Sequence, residues 1–430
     1  MHVVILAEFA SPSGGAEKVA LESARGLAEA GTDVTYVQGV SGPVDPLLDH
    51  ARIRRIDLGL PDVWSLGAAR AAAAGIWHAA AARRLGEALP GVPAPDCVHL
   101  HQWTRSLSPA VFPVLFGLGA PVVVSLHDYF LACPNGVYYR FDRGEPCAIA
   151  PISAACLAAP CDARSRGHKL VRVARTLALR HALSDRPLHI VHVCDASRRR
   201  MGAMLGGYRI THHRIDNPVR VADGPPAEPA RGDAIAYVGR LTREKGADLV
   251  ADAAWAAGLP ALFVGSGPLE DELRARPGVE VLGWREPDAV WRILRARARA
   301  LAAPSRWYET GPLTVYEALA NGIPVVASDR SGAAEKVSHG QTGFVVAPDV
   351  GTLTRAFTAL RDDARVAIMG RNALARARDI PMTLSAHAAA LRRLYVGLAV
   401  GSLSAPHHFD RASRACGIGL DADGGANIRL

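Results

Sequence analysis

The sequence predicts an α/β protein built from two doubly wound parallel-sheet domains that face each other across a cleft. Three observations carry this. Short apolar runs alternate with helical patterns along most of the 430 residues, and the runs are continuously rather than alternately apolar, as strands covered on both faces must be. The alternation stops after Asn217-Pro218 at the Pro/Gly-rich stretch GPPAEPARGD and then restarts, which marks a domain boundary. Glycine-bearing turns follow several of the predicted strands, at the end of the sheet where this architecture binds ligands.

In the first half, strands are predicted at 3–7, 34–37, 52–58, 97–101, 122–126 and 189–193, with helices near 16–30, 68–89, 107–118 and 169–183. In the second half strands are predicted at 234–238, 261–264, 279–282, 300–303 and 324–327, again separated by helices. The domains are therefore expected at 1–218, with a cysteine-rich insert at 131–165, and at 219–380, followed by a closing segment at 381–400. The tail 401–430 lacks periodicity and is rich in Gly and Ser, so it is expected to be disordered and dispensable for chemistry.

With 49% hydrophobic and 21% charged residues the chain is globular, and 430 residues suffice for two cores. The net charge of +8 favours anionic partners: phosphorylated ligands, acidic membrane surfaces or nucleic acid. Nucleic acid is disfavoured because the basic residues are not interleaved with aromatics and no reading module is present. The opening HVVILAE has no basic n-region and reads as a strand rather than a signal peptide. The alanine-rich run 68–82 is broken by Arg70 and His78 and followed by Arg83 and Arg84, too polar to span a bilayer. A cytoplasmic location is expected.

The most informative stretch is RWYETGPLTVYEALANGIPVVAS, 306–328. Glu309 and Glu317 stand eight positions apart, Gly311 and Pro312 suit a helix N-cap and first helical position, and Gly322 suits a left-handed stop. A phosphate suits the free amides at that helix start. The two carboxylates would repel a phosphate and fit neutral hydroxyls instead, of which a nucleotide sugar has two sets. Alone, the pair also fits two solvated helix-end acids. The turn carrying Gly14 and Gly15 lets the backbone approach a ligand, and its departure from G-x-G-x-x-G argues against a dehydrogenase-type site. In VGRLTREKG, Gly239 ends a strand and Arg240 and Lys245 bring two positive charges there, which suits a diphosphate and, taken alone, equally suits solvated surface cations. VGSGP, with Gly265 and Gly267, is a third such turn.

Together these pieces resemble glycosyltransferase family 4, retaining enzymes of the GT-B fold. GGAE, the His127-Asp128 pair, VGRLTREKG, VGSGP, the E-x7-E block, EALANGIPVVASD and TGFVV match in order and spacing from about residue 3 to 395. The resemblance implies two Rossmann-like domains and a nucleotide-diphosphate sugar as donor. It assigns Arg240 and Lys245 to the donor diphosphate, Glu317 to the ribose hydroxyls, Glu309 to the transferred sugar, Gly14 and Gly15 to the phosphates or acceptor, and His127 to the reaction centre. Gly239, Gly265, Gly267, Thr310, Gly311, Pro312 and Leu313 complete the expected donor site. Residues 382–398 resemble the helix that crosses back to the first domain in this fold. The family often has an aromatic-glycine pair after the first Glu, where this chain has Thr310-Gly311-Pro312, which puts the sugar preference in doubt.

The expected function is transfer of a sugar, with retention, from a nucleotide-diphosphate donor to a glycan, lipid-linked saccharide or small-molecule acceptor. His127, Glu309, Arg240 and Lys245 are the catalytic candidates, and cations rather than a divalent metal would stabilise the leaving diphosphate. The alternative is a non-catalytic sugar-nucleotide-binding partner of another transferase. Asp128 is expected to orient His127 or the backbone.

Cys133, Cys147, Cys156 and Cys161 fall in one irregular segment with spacings x13, x8 and x4. Four thiols could bind one structural zinc, or remain reduced, or include an oxidisable pair. The basic residues Arg164, Arg166, Lys169, Arg172, Arg175 and Arg180, followed by Arg198, Arg199 and Arg200, suggest a face for anionic lipid at the inner side of the plasma membrane, or a solvated surface.

Overall fold

A computed structural model describes residues 1–219, 224–379 and 383–400. The first sheet joins β1 (His2–Ala7), β2 (Asp33–Val40), β3 (Ile53–Leu60), β4 (Cys97–Leu100) and β5 (Val122–Leu126). A two-stranded antiparallel ribbon, β6 (Tyr139–Arg140) and β7 (Glu145–Pro146), stands apart from it, and β8 (Leu188–His192) and β9 (Ile210–Arg214) complete the sheet. Its order is β3-β2-β1-β4-β5-β8-β9, with every pairing parallel. The second sheet contains β10 (Ala234–Val238), β11 (Ala261–Val264), β12 (Val279–Val281), β13 (Ala298–Ala303), β14 (Val325–Ser328) and β15 (Gly343–Val346). It too is parallel throughout, in the order β12-β11-β10-β13-β14-β15.

Burial on both faces explains the continuous apolar strands. Val4 and Leu6 of β1 enter one core while Val3, Ile5 and Ala7 enter another. In β10, Ile235 and Tyr237 pack on one side and Ala236 on the other. Because successive side chains of a strand point to opposite faces, each sheet is coated twice, which is the doubly wound arrangement.

The structure departs from the sequence reading in four places. β9 and β15 were not foreseen: β9, sequence ITHHR, is a half-buried edge strand without an apolar run, and β15 has only four residues. The helix expected over 68–89 is two, Ala68–Ile76 and Ala79–Ala88. The break falls at His78, whose backbone N–H donates to Ser108 Oγ (2.7 Å) while its ring meets the Ser106 carbonyl (2.5 Å). The helix after Glu309 runs Leu313–Ala320 with Pro312, not Gly311, at its cap.

The fourth departure concerns the basic face. Lys169 and Arg175, on the helix Arg166–Leu183, are buried, and Arg172 and Arg180 are partly so. The Arg175 guanidinium stacks on Phe130 (4.4 Å) and Trp103 (5.6 Å), and burial lowers it to about 10. These four cations serve the interior, and of the nine basic residues Arg164, Arg166, Arg198 and Arg199 are exposed. No helix among the described residues is long and apolar enough to cross a membrane.

The helix Leu384–Ala399 packs along the helix Gly15–Glu29 of the first domain. Gly26 permits this contact, since a Cβ there would lie 3.0 Å from Ala388 and Leu384. His387 bridges Ser23 Oγ (2.9 Å) and the Asp216 carbonyl (2.7 Å), and the Tyr395 hydroxyl meets His99 Nδ1 (2.5 Å). The expected tail 401–430 lies outside the described residues.

Candidate functional site

The C-terminal ends of both sheets open onto one cleft of about 850 Å³. From the first domain it receives Gly14, Gly15 and Lys18, near the start of the helix after β1, and His127 just past β5. From the second it receives Gly239, Arg240 and Lys245 after β10, and the segment Glu309 to Leu313 with Glu317 after β13. Gly265 and Gly267 lie outside the lining. They serve close backbone packing instead, since a Cβ on Gly265 would stand 2.0 Å from the Gly239 carbonyl and one on Gly267 2.5 Å from that of Leu241.

Each carboxylate of the pair meets a lysine. The Lys245 ammonium donates to Glu309, whose other oxygen accepts from the Ser305 hydroxyl. Lys18, from the other domain, donates to Glu317 at 2.5 Å, and Glu317 is buried. Burial, with the neighbouring Arg240 guanidinium adding to it and Glu244 opposing it, lowers Lys245 to about 7. The loop between β13 and Glu309 is held by Arg306, which forks onto both Asp248 oxygens (2.7 and 2.8 Å). Trp307 lies beneath the cations, its ring centre 5.3 Å from Lys245 Nζ and 5.8 Å from the Arg240 guanidinium carbon.

His127 is half-buried at the seam. Its backbone carbonyl accepts from Thr310 Oγ1 across the domains (3.0 Å), and its Nε2 lies 3.1 Å from His101 Nδ1. Burial, and secondarily His387, lowers its imidazole to about 4, so the ring is neutral at physiological pH and can donate from one nitrogen only. Asp128 does not orient His127 by a side-chain hydrogen bond; its Oδ1 accepts from the Phe130 amide (3.0 Å), and burial raises it to about 6. Of the two roles expected of Asp128, this hydrogen bond shows the one toward the backbone, and His101 is the side chain next to His127.

Several lining residues escaped the sequence reading: Lys18, Asp45, Gln102, Trp284, Arg285 and Tyr308. Trp284 and Arg285 follow Gly283 after β12, a strand-end turn like the three recognised, and that was the available signal. Lys18 sits one residue past GGAE, but its partner is 299 positions away.

The four insert cysteines are all free. The described residues contain no group of three or more His, Cys, Asp or Glu chains placed to hold a metal ion, so nothing among them supports the zinc expectation. The Lys169 ammonium stands between two of the thiols, 3.0 Å from Cys161 Sγ and 3.7 Å from Cys156 Sγ, where a second cation would be repelled.

Two facing parallel-sheet domains with the site in the cleft between them define the GT-B class of fold. The model of the glycosyl transferase 4-like domain matches residues 14–217 and that of the glycosyl transferases group 1 matches residues 232–375. The chain belongs to this family of group 1, family-4-like glycosyltransferases. Among curated proteins, glycogen synthase of Mycobacterium tuberculosis is 35% identical over 174 residues, 36% of this chain and 40% of that protein. The chain thus spans about two fifths of the length of the curated relatives it matches. Among solved structures, sucrose-phosphate synthase from Thermosynechococcus elongatus aligns with a TM-score of 0.68 at 19% identity, over 93% of this chain and all of that one. Anabaena HepE, solved in complex with UDP and glucose, aligns with a TM-score of 0.62 at 19% identity, again over 93% and 100%.

Proposed function

We propose that the protein is a retaining glycosyltransferase that moves a sugar from a nucleotide-diphosphate sugar to a hydroxyl of a glycan, lipid-linked saccharide or small-molecule acceptor. The observation that carries this reading is the meeting of Arg240, Lys245, Glu309 and Glu317 in one cleft, with His127 facing them from the other domain. Two cations beside two carboxylates match a ligand that bears a diphosphate and neutral hydroxyls, and match few others. The HepE structure, by its UDP and glucose, supports the same kind of donor.

In this reading Arg240 and Lys245 hold the diphosphate and stabilise the charge that develops as the glycosidic bond breaks, which is electrostatic catalysis by groups already in place. Glu317 accepts from ribose hydroxyls once Lys18 yields it, and Glu309 accepts from the transferred sugar. The neutral His127 donates to a sugar hydroxyl and steadies the cationic sugar. With Glu309 committed to hydroxyls, a double-displacement scheme with a carboxylate nucleophile is disfavoured. The acceptor attacks from the face the diphosphate leaves, and the departing phosphate takes its proton, so no divalent metal takes part in catalysis. Arg164 and Arg166 at the start of the helix that carries the exposed Leu170 and Leu177 support peripheral contact with an anionic membrane on the cytoplasmic side.

The test is a panel of nucleotide-diphosphate sugars and simple glycoside acceptors with purified protein, in chelator, read by nucleotide release and by the anomeric configuration of the product by NMR. Transfer with retention in chelator is expected. Inverted product, a requirement for added metal, or absence of binding to every nucleotide diphosphate would overturn the proposal.

A further inference from the structure

We propose that Cys161 and Cys156 form a peroxide-oxidised thiol pair primed by Lys169. Three buried side chains make the site: Lys169 is 3% exposed, Cys161 4% and Cys156 7%. The ammonium donates to Cys161 Sγ at 3.0 Å and to Cys156 Sγ at 3.7 Å, so the two sulfurs flank one nitrogen. Burial alone would drive Lys169 toward its neutral form. The hydrogen bond to Cys161, with the neighbouring sulfurs of Cys156 and Cys133, outweighs that and raises it, so it remains a cation facing sulfur. A positive charge donating a hydrogen bond to sulfur favours thiolate character, and the thiolate is the nucleophile.

The other two cysteines are set up differently. Cys133 donates to Asn135 Oδ1 at 3.0 Å, and burial pushes its thiol up to about 11. Burial also raises Cys147. The Lys169 ammonium hydrogen-bonds to Cys161 and Cys156 and, among the described residues, to neither Cys133 nor Cys147. The reaction is assigned to Cys161, the sulfur nearest the ammonium.

The chemistry closes with hydrogen peroxide as oxidant. The Cys161 thiolate attacks one peroxide oxygen, the O–O bond breaks, and the leaving hydroxide takes a proton to become water, leaving a sulfenic acid. Cys156 then attacks that sulfur, an S–S bond forms as the S–O bond breaks, and the departing hydroxide takes the Cys156 proton as a second water. Two thiols lose one electron each and one peroxide is reduced. The stretch between the pair, Leu157 to Pro160, leaves the short helix Ala154–Ala158 at Ala159, so the closing motion is local.

The site adjoins the cleft. Asn135 Nδ2 donates to the Cys161 carbonyl (3.1 Å) and to that of Tyr139 (2.8 Å), and the next residues, Gly136 and Val137, line the cleft. Drawing Cys161 toward Cys156 pulls on the turn that forms the cleft wall.

The experiment uses the full-length chain, reduced, exposed to hydrogen peroxide, quenched with a thiol-alkylating reagent and mapped by mass spectrometry. Loss of two alkylatable thiols is expected, at Cys156 and Cys161, with a mass lower by two hydrogens in the peptide that holds them. Cys156→Ser is expected to trap Cys161 as a sulfenic acid that reacts with dimedone, and Cys147→Ser to leave the cross-link unchanged. Lys169→Met is expected to slow oxidation of Cys161 about tenfold while Lys169→Arg largely preserves it; the wild-type map does not depend on how either variant folds. Oxidation that pairs Cys133 or Cys147, four thiols reacting at equal rates, or one zinc per purified chain that shields all four from alkylation would overturn the proposal. None of these readouts depends on sugar transfer.

Discussion

Replacing Lys245 with Met should separate the diphosphate from the rest of the donor. In the structure this ammonium is half-buried near Arg240 and paired with Glu309, and in the proposed function it turns to a phosphate oxygen. A charge-assisted hydrogen bond is worth about 1.5–3 kcal/mol, so the affinity for a nucleoside diphosphate should fall roughly 10- to 150-fold. Affinity for the matching nucleoside, which has no phosphate, should be unchanged. Isothermal titration calorimetry on both ligands gives the comparison, and Lys245→Arg should recover part of the loss. The wild type should also show a pH signature. Burial and the Arg240 guanidinium lower Lys245 to about 7, with Glu244 opposing them, so the cation is half lost at about pH 7 and its loss continues as pH rises. Diphosphate affinity should therefore weaken as pH rises from about 6 to about 8, and Lys245→Met should abolish that slope. Equal loss for nucleoside and nucleoside diphosphate, or a variant that keeps the slope, would refute the placement of the phosphate at this cation.

Glu317→Ala should weaken binding of a nucleoside diphosphate by about 1.5–3 kcal/mol and leave inorganic pyrophosphate unaffected, which competition calorimetry can resolve. His127→Ala should lower kcat about tenfold or more with little change in donor affinity, because its hydrogen bond counts chiefly in the transition state; steady-state kinetics separate the two. Glu8 predicts a stability profile: burial raises it from 4.5 to about 7, so the fold favours its neutral form. That contribution is complete below about pH 4.5 and is lost as pH rises through 7, a change of up to about 3 kcal/mol. In urea melts Glu8→Gln should flatten this dependence, since its one carbonyl can accept from the Arg105 and Ser106 amides as Glu8 Oε1 now does. Gly265→Ala should cost at least about 2 kcal/mol, because φ is +142° and the Cβ would meet the Gly239 carbonyl; thermal melts measure it.

What could be read from the sequence divides along a physical line, between local chemistry and distant partners. Strand after strand was visible because burial on two faces leaves a run such as Val3 to Ala7 with no polar residue. The strand β9 was invisible because an edge position tolerates Thr, His and Arg. Glu309, Glu317, Arg240 and Lys245 could be singled out because each sits in a short stretch whose glycines and prolines fix the backbone. Their pairings could not, since Lys245 meets Glu309 across 64 positions and Lys18 meets Glu317 across 299. The same limit explains the zinc expectation. Cysteine spacing records how far apart thiols lie along the chain and says nothing about what stands between them in space. Here that is an ammonium eight residues beyond Cys161, which changes the chemistry of the cluster from metal ligation to thiol activation. A cluster of ligating residues thus needs its nearest charge identified before it can be assigned a metal, and in this chain that charge already has the sign a metal would bring.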